Sequence, residues 1–197
     1  MMCKNRTTTL PGSGKTDSVF KTDSVFFINR ILLLFVLGTF IAGCVGIPSN
    51  VKPVQGFNAS QYLGTWYEIA RLENSFETGL EQISAQYSPR EDGGLRVLNR
   101  GYDPEKQRWK EAEGKAFFVD QPTEGRLKVS FFGPFYGAYN IISLDEHYGY
   151  SMVSGPDFSY LWILSRTPQL PDTVLKQLVT KAQELGFETN KLIYVKQ

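Results

Sequence analysis

The sequence predicts an all-β domain: an eight-stranded antiparallel up-and-down barrel with one C-terminal α-helix and a short final strand. Three observations carry this expectation. Gly64-Thr65-Trp66-Tyr67-Glu68-Ile69-Ala70 opens a run of aromatic and β-branched residues directly after a turn-like segment, Asn58-Ala59-Ser60-Gln61-Tyr62-Leu63. A glycine there lets the backbone pass close to its neighbours, and the Trp66 indole can fill the wide space at the closed end of a barrel. Strand-like runs then recur at short intervals, divided by glycine, proline and aspartate clusters. Only after Pro171 does the apolar period lengthen from two residues toward about 3.6.

The strands are expected at 63–72, 82–88, 95–102, 108–119, 125–132, 136–144, 148–154 and 160–165. Pro89 with Asp92-Gly93-Gly94 ends the second, Asp103-Pro104 the third, Gln121-Pro122 the fourth and Gly133-Pro134 the fifth. Gly155-Pro156-Asp157 separates the last two. In Arg126-Leu127-Lys128-Val129-Ser130-Phe131 the apolar side chains take every second place, so one face is dry and the other wet. Short turns between successive strands suit up-and-down closure. Residues 171–186 read as a helix, with Asp172 capping its start and Gly186 ending it. Val174, Leu175, Leu178, Ala182 and Leu185 form one stripe, which would dock against the barrel wall. Leu192-Ile193-Tyr194-Val195 is the final strand.

Residues 1–30 are polar and carry a tandem repeat, Lys15-Thr16-Asp17-Ser18-Val19-Phe20 and Lys21-Thr22-Asp23-Ser24-Val25-Phe26, the composition of a disordered leader. Arg30 precedes an uncharged run of 13 residues, 31–43, short against the roughly 20 that span a bilayer. A positive flank, a short apolar core and small residues before a boundary describe a secretory signal, with an uncleaved membrane anchor as the alternative. Ile41-Ala42-Gly43-Cys44, at the end of that core, resembles the lipobox of bacterial lipoproteins. The resemblance implies cleavage before Cys44 and acylation of that residue. Val45 rather than aspartate follows it, which by the same resemblance points to the outer membrane. Several acyl chains give lasting attachment, at about 0.8 kcal/mol per buried methylene. The expected organisation is a leader and signal at 1–43, a lipidated N-terminus and tether at 44–56 marked by Pro48, Pro53 and Gly56, and the barrel at 57–197.

Processing removes Cys3 and lipidation consumes Cys44, so the exported domain keeps no thiol for a disulfide, a nucleophile or a metal. Of 21 basic and 20 acidic residues, cleavage removes five and two, leaving 16 and 18 and a net charge of −2. With no basic block, nucleic acid is excluded as an expected partner. The remaining length suffices for one core.

The order of a Gly-x-Trp strand, an eight-strand meander, an arginine after the eighth strand, one helix and a terminal strand resembles the lipocalin family over residues 50–197. The residues that carry the resemblance are Gly64-Thr65-Trp66, Arg166 within Trp162-Ile163-Leu164-Ser165-Arg166-Thr167-Pro168, and Leu144-Asp145-Glu146-His147-Tyr148, where leucine replaces the family's threonine. The resemblance implies that Gly64, Trp66, Asp145, Tyr148 and Arg166 fix the fold rather than bind ligand. Arg166 would cover Trp66 as a cation–π pair, about 0.5–2 kcal/mol. It further implies fatty acids or lysophospholipids as ligands, and a role in lipid transport or storage for envelope maintenance, at the periplasmic face of the outer membrane.

An eight-stranded barrel has an interior just wide enough for side chains or one small ligand. Inward parity counted from Trp66 selects Glu68, Ala70 and Leu72 on the first strand, and Tyr160, Trp162 and Leu164 on the eighth. Leu127, Val129 and Phe131 follow on the fifth, with Tyr87, Phe118, Tyr139 and Met152 as additions. The candidate ligand-binding set is therefore Glu68, Ala70, Tyr87, Phe118, Val129, Phe131, Tyr139, Met152, Tyr160 and Trp162. The same side chains could instead fill the barrel as ordinary core; the small residues Ala112, Gly114 and Ala116 favour empty space. The aromatic turn Phe131-Phe132-Gly133-Pro134-Phe135-Tyr136-Gly137 reads equally as a mouth loop, a membrane-touching tip, a homodimer surface or a packed loop. His147, the one histidine, sits in a turn beside Asp145 and Glu146 as a solvated residue. Glu111 and Glu113, interleaved with Lys110 and Lys115, read as a wet outer face. No Ser-His-Asp order, Cys/His spacing or phosphate loop is present, so no catalytic residue, metal or cofactor is expected. An enzyme acting on a lipophilic substrate within the same barrel is the alternative function.

Overall fold

The computed structural model describes residues 45–197; the leader, the signal and Cys44 lie outside the described residues. One helical turn, α1 (Ala59–Tyr62), precedes strand β1 (Gly64–Arg71). Asn58 caps it, its Oδ1 accepting from the Ser60 amide at 3.0 Å, so the expected turn is a capped helix start. The strands β2 (Glu81–Pro89), β3 (Leu95–Asp103), β4 (Arg108–Phe118), β5 (Arg126–Ser130), β6 (Gly137–Leu144), β7 (Tyr150–Ser154) and β8 (Leu161–Ser165) follow. Each pairs antiparallel with the next, and β1 pairs with both β2 and β8, which closes the ring. Helix α2 (Asp172–Leu185) and β9 (Ile193–Tyr194) complete the chain. This is the expected eight-stranded barrel with one main C-terminal helix and a short final strand.

β1 is divided by a bulge. Its first half pairs with β2 from Gly64↔Tyr87 to Tyr67↔Ser84. On β8 the register shifts between Glu68↔Leu164 and Ala70↔Ile163. Beyond the shift, β9 takes the side that β2 has left, through Ala70↔Tyr194 and Arg71↔Ile193. The side-chain amide of Gln197 bridges the gap, donating to Glu68 O at 2.6 Å and Ile83 O at 2.9 Å.

Two apolar cores result. One lies inside the ring around Trp66, Tyr87, Val97, Leu127 and Val153. The other lies between the wall and α2, where Leu178 and Ala182 pack against Ala70, Met152, Leu161 and Ile163. Pro171 precedes α2 without a side-chain cap; Asp172 is the first helical residue, placed to favour the helix dipole instead of capping. Gly186 ends the helix in the left-handed conformation, as expected.

Residues 45–56, within the expected tether, lie against the barrel. The Val54 amide donates to Ile141 O at 2.8 Å, and Val54 O accepts from Gly125 N at 2.9 Å. Asn140 Nδ2 donates to Gly46 O at 3.1 Å. Val51 is buried, and Ile47 and Val54 pack on the cores, so apolar residues and ladder bonds hold this stretch against the barrel.

Candidate ligand-binding cavity

The closed end is built on Gly64, Trp66 and Arg166. Gly64 has φ +94°, and a Cβ there would come within 3.3 Å of Arg166 Nη1, so only glycine fits without strain. The Arg166 guanidinium carbon lies 4.0 Å from the centroid of the Trp66 ring. Its nitrogens donate to Thr65 O at 3.0 Å, Gln61 O at 2.7 Å and Tyr148 O at 3.2 Å. Trp66 Nε1 donates to Tyr62 O at 2.8 Å. Tyr148 also accepts the Asn58 amide on its hydroxyl at 2.9 Å, and Asp145 Oδ2 accepts the His147 and Gly149 amides. The five residues of the expected structural set thus converge on the base, and His147 is exposed in its turn.

Above this base the barrel is hollow. A cavity of about 110 Å³ remains in the interior, several times what one water requires. Most of the lining is apolar: Trp66, Ile83, Ala85, Leu95, Val97, Ala116, Leu127, Val129, Phe131, Ala138, Trp162 and Leu164. Three phenols add hydroxyls but spend them on one another. Tyr139 bonds Tyr62 and Tyr87 at 2.8 Å each, and Tyr62 reaches Ser151 at 3.3 Å. Burial pushes the Tyr62 hydroxyl up to about 12 and holds Tyr87 and Tyr139 well above the usual tyrosine range, so all three stay neutral. Gly114 makes room on the wall: a Cβ there would approach Ser130 O to 2.7 Å and the Phe131 ring to 2.8 Å.

The polar part of the lining sits toward the β1–β2 loop. Glu68 (3% exposed) accepts from Arg71 Nη1 at 3.1 Å. Arg71 Nη2 donates to Glu77 O at 2.9 Å, and its Nε is buried without a partner. Glu77 Oε2 accepts from Trp162 Nε1 at 3.0 Å and Asn74 Nδ2 at 2.6 Å. Burial first, then the neighbouring Glu77 carboxylate, hold Glu68 well above the usual carboxylate range, with Arg71 opposing.

Of the ten candidate residues, Glu68, Tyr87, Val129, Phe131, Tyr139 and Trp162 line the cavity. Ala70 and Met152 do not: both pack outside the wall, under α2. The cause for Ala70 is the bulge, which reverses parity after Glu68 so that Arg71, cross-strand from Trp162, turns inward instead. A second bulge between Ile141 and Ser143 displaces the register opposite Met152. Leu72 likewise joins the outer core. Phe118 packs into the floor, with its ring 6.3 Å from Phe57. Tyr160 stacks on Trp162 at 6.0 Å without reaching the lining. Phe76 and Glu77 were not foreseen; they arrive from the long β1–β2 loop, where no periodicity marks a direction. Ile83, Leu95 and Val97 do alternate with polar neighbours and could have been found from that signal. The aromatic turn holds Phe132 and Phe135 out to solvent, 81% and 73% exposed. In an up-and-down ring this β5–β6 turn shares its end with the β1–β2 and β7–β8 loops, opposite Arg166.

Residues 57–197 match the family model described as a lipocalin-like domain. The chain is 54% identical over 169 residues to the outer membrane lipoprotein Blc of Vibrio cholerae, covering 85% of this chain and 99% of that one. It is 53% identical to the protein of that name from Escherichia coli K12, over 76% and 85% of the two chains. Temperature-induced lipocalin-1 of Arabidopsis thaliana is 37% identical, over 73% and 81%. Among solved structures, insecticyanin from the tobacco hornworm Manduca sexta aligns with a TM-score of 0.63 at 21% identity, over 77% and 87% of the chains, a likeness of fold alone.

Proposed function

The chain belongs to the lipocalin family, and from that premise we propose that it is an outer-membrane lipoprotein whose barrel takes up single-chain lipids, fatty acids or lysophospholipids, for transport or storage in envelope maintenance. The observation that carries this reading is the hollow, apolar interior above a closed base. Chain burial drives uptake, at roughly 25 cal/mol per Å² of apolar area removed from water. A preformed cavity leaves little ordering cost to oppose it. The names of the bacterial relatives support the membrane assignment, as does the lipobox-like Ile41-Ala42-Gly43-Cys44 without a following aspartate. Attachment runs through Cys44, at the periplasmic face.

Two experiments test the reading. An acyl ligand titrated into the protein is expected to quench the emission of Trp66 and Trp162, which both line the cavity; no response to any single-chain lipid would refute it. Recovery of that lipid chemically unchanged separates carriage from catalysis. Cys44→Ala is expected to release the protein from membranes or trap its precursor, and normal attachment of that variant would refute the anchor.

A further inference from the structure

The stretch that leads to Cys44 has no slack. Cleavage before Cys44 leaves that one residue ahead of Val45, about 3.8 Å away from Cα to Cα. Val45 and Gly46 are themselves held on the wall. Val45 O accepts from Arg126 Nη2 at 3.3 Å, and Gly46 O from Asn140 Nδ2 at 3.1 Å. The same Asn140 nitrogen donates to Gly155 O at 3.0 Å, and a Cβ on Gly46 would stand 3.3 Å from Pro156 O. Gly155 and Pro156 begin the β7–β8 loop, at the mouth. The register row Arg126↔Asn140↔Ser154 shows the strand tilt: it starts at the base end of β5 and reaches the mouth end of β7. The chain therefore leaves the wall beside a mouth loop.

The exposed apolar side chains gather at the same end. Among the described residues five large ones are exposed. Phe76 is on the β1–β2 loop, Phe132 and Phe135 are on the β5–β6 turn, and Trp109 is at the mouth end of β4; only Tyr194, on β9, lies elsewhere. The turns at the base instead expose Glu91, Asp92, Asp120 and Glu146. Exposed apolar clusters mark contact sites, and aromatic rings suit the boundary between water and lipid.

Resting on the Cys44 anchor of the reading above, we propose that the barrel sits mouth-down on the membrane that holds its acyl chains, with Phe76, Phe132 and Phe135 in the bilayer interface and the cavity open to the leaflet. A membrane is the occupant this face fits, because an anchor without slack holds the mouth loops beside it.

The test uses the mature, acylated chain in vesicles of phosphatidylethanolamine and phosphatidylglycerol, part of the lipid brominated near the headgroup. With Cys3 removed and Cys44 acylated, Phe132→Cys, Phe76→Cys and Glu91→Cys each offer one free thiol for an environment-sensitive fluorophore. β2, nine residues long, puts Glu91 about 20 Å from the mouth end once tilt is included. An interfacial group lies within about 10 Å of the acyl boundary, so the mouth labels are expected to be quenched at least ~5-fold more than the base label. Phe76→Cys decides the matter if Phe132→Cys is not processed. Equal quenching at the two ends, stronger quenching at Glu91→Cys, or none at either would overturn the inference. So would shielding of the mouth labels that grows with protein density but not with brominated lipid, which would mean a second copy covers the mouth. If the wild-type chain leaves the vesicles, the anchor reading falls, and this inference with it; a chain that stays bound with its mouth unquenched overturns this inference alone.

Discussion

Ala85→Leu separates an interior that holds a guest from one that is merely core. Ala85 lies on β2, cross-strand from Trp66 and Asn99, and lines the cavity. It is only half-buried although it sits inside the ring, because its exposure comes from the hollow itself. A leucine there would occupy space that an alkyl chain otherwise takes, displacing about two to three methylenes of the guest. At about 0.8 kcal/mol each the loss is about 2 kcal/mol, or about 30-fold in Kd. Folding stability should move the other way, because the open volume of about 110 Å³ receives the new atoms and they leave water: unchanged, or higher by up to about 2 kcal/mol. Tryptophan quenching by an acyl ligand reads the affinity, and urea unfolding reads the stability. An affinity within about 3-fold of wild type would refute the placement of the guest. A stability loss of about 3 kcal/mol would show a packed interior with no room to fill.

Arg166→Ala should lower stability by about 2–4 kcal/mol, since it removes three charge-assisted bonds to carbonyls and the cover over Trp66; chemical denaturation measures it, and a larger effect on ligand affinity than on stability would contradict its structural role. Glu68 keeps a proton in the folded chain that the unfolded chain releases near about pH 4.3. Its contribution to stability is therefore present below that value and lost as pH rises from there toward the raised folded value. Glu68→Gln should gain stability relative to wild type progressively as pH rises above about 4.3, and unfolding curves that stay a constant distance apart would show that Glu68 is ionised against Arg71.

Ring closure was legible because turn residues punctuate every strand, and the closed end because Gly64, Trp66 and Arg166 sit at the ends of readable elements. Parity inside the ring was legible where only one face is dry. On β5, Leu127 and Val129 alternate with charged residues, and both line the cavity. It failed on β1 because α2 covers the outer face there. Ile69, Ala70 and Leu72 are as buried as the inward side, so no alternation reports the bulge. Met152 failed for the same reason, within a β7 buried on both faces. The inward turn of Arg71 was hidden further, because a buried charge contradicts the usual preference of arginine for the surface. Glu77 and Phe76 depend on how a nine-residue connection, 72–80, folds back over the mouth, a tertiary outcome with no local pattern. The docking of residues 45–56 was missed because its prolines and glycine read as a linker, while Val51 and Val54 find cover only once the barrel exists.

Native mass spectrometry of the protein isolated from membranes under non-denaturing conditions, with the released material identified after extraction, tests the hollow barrel most directly. One single-chain lipid per polypeptide, exchangeable for an added acyl ligand, is the expected result. A chain that carries no lipid and accepts none at any concentration below micelle formation would contradict it.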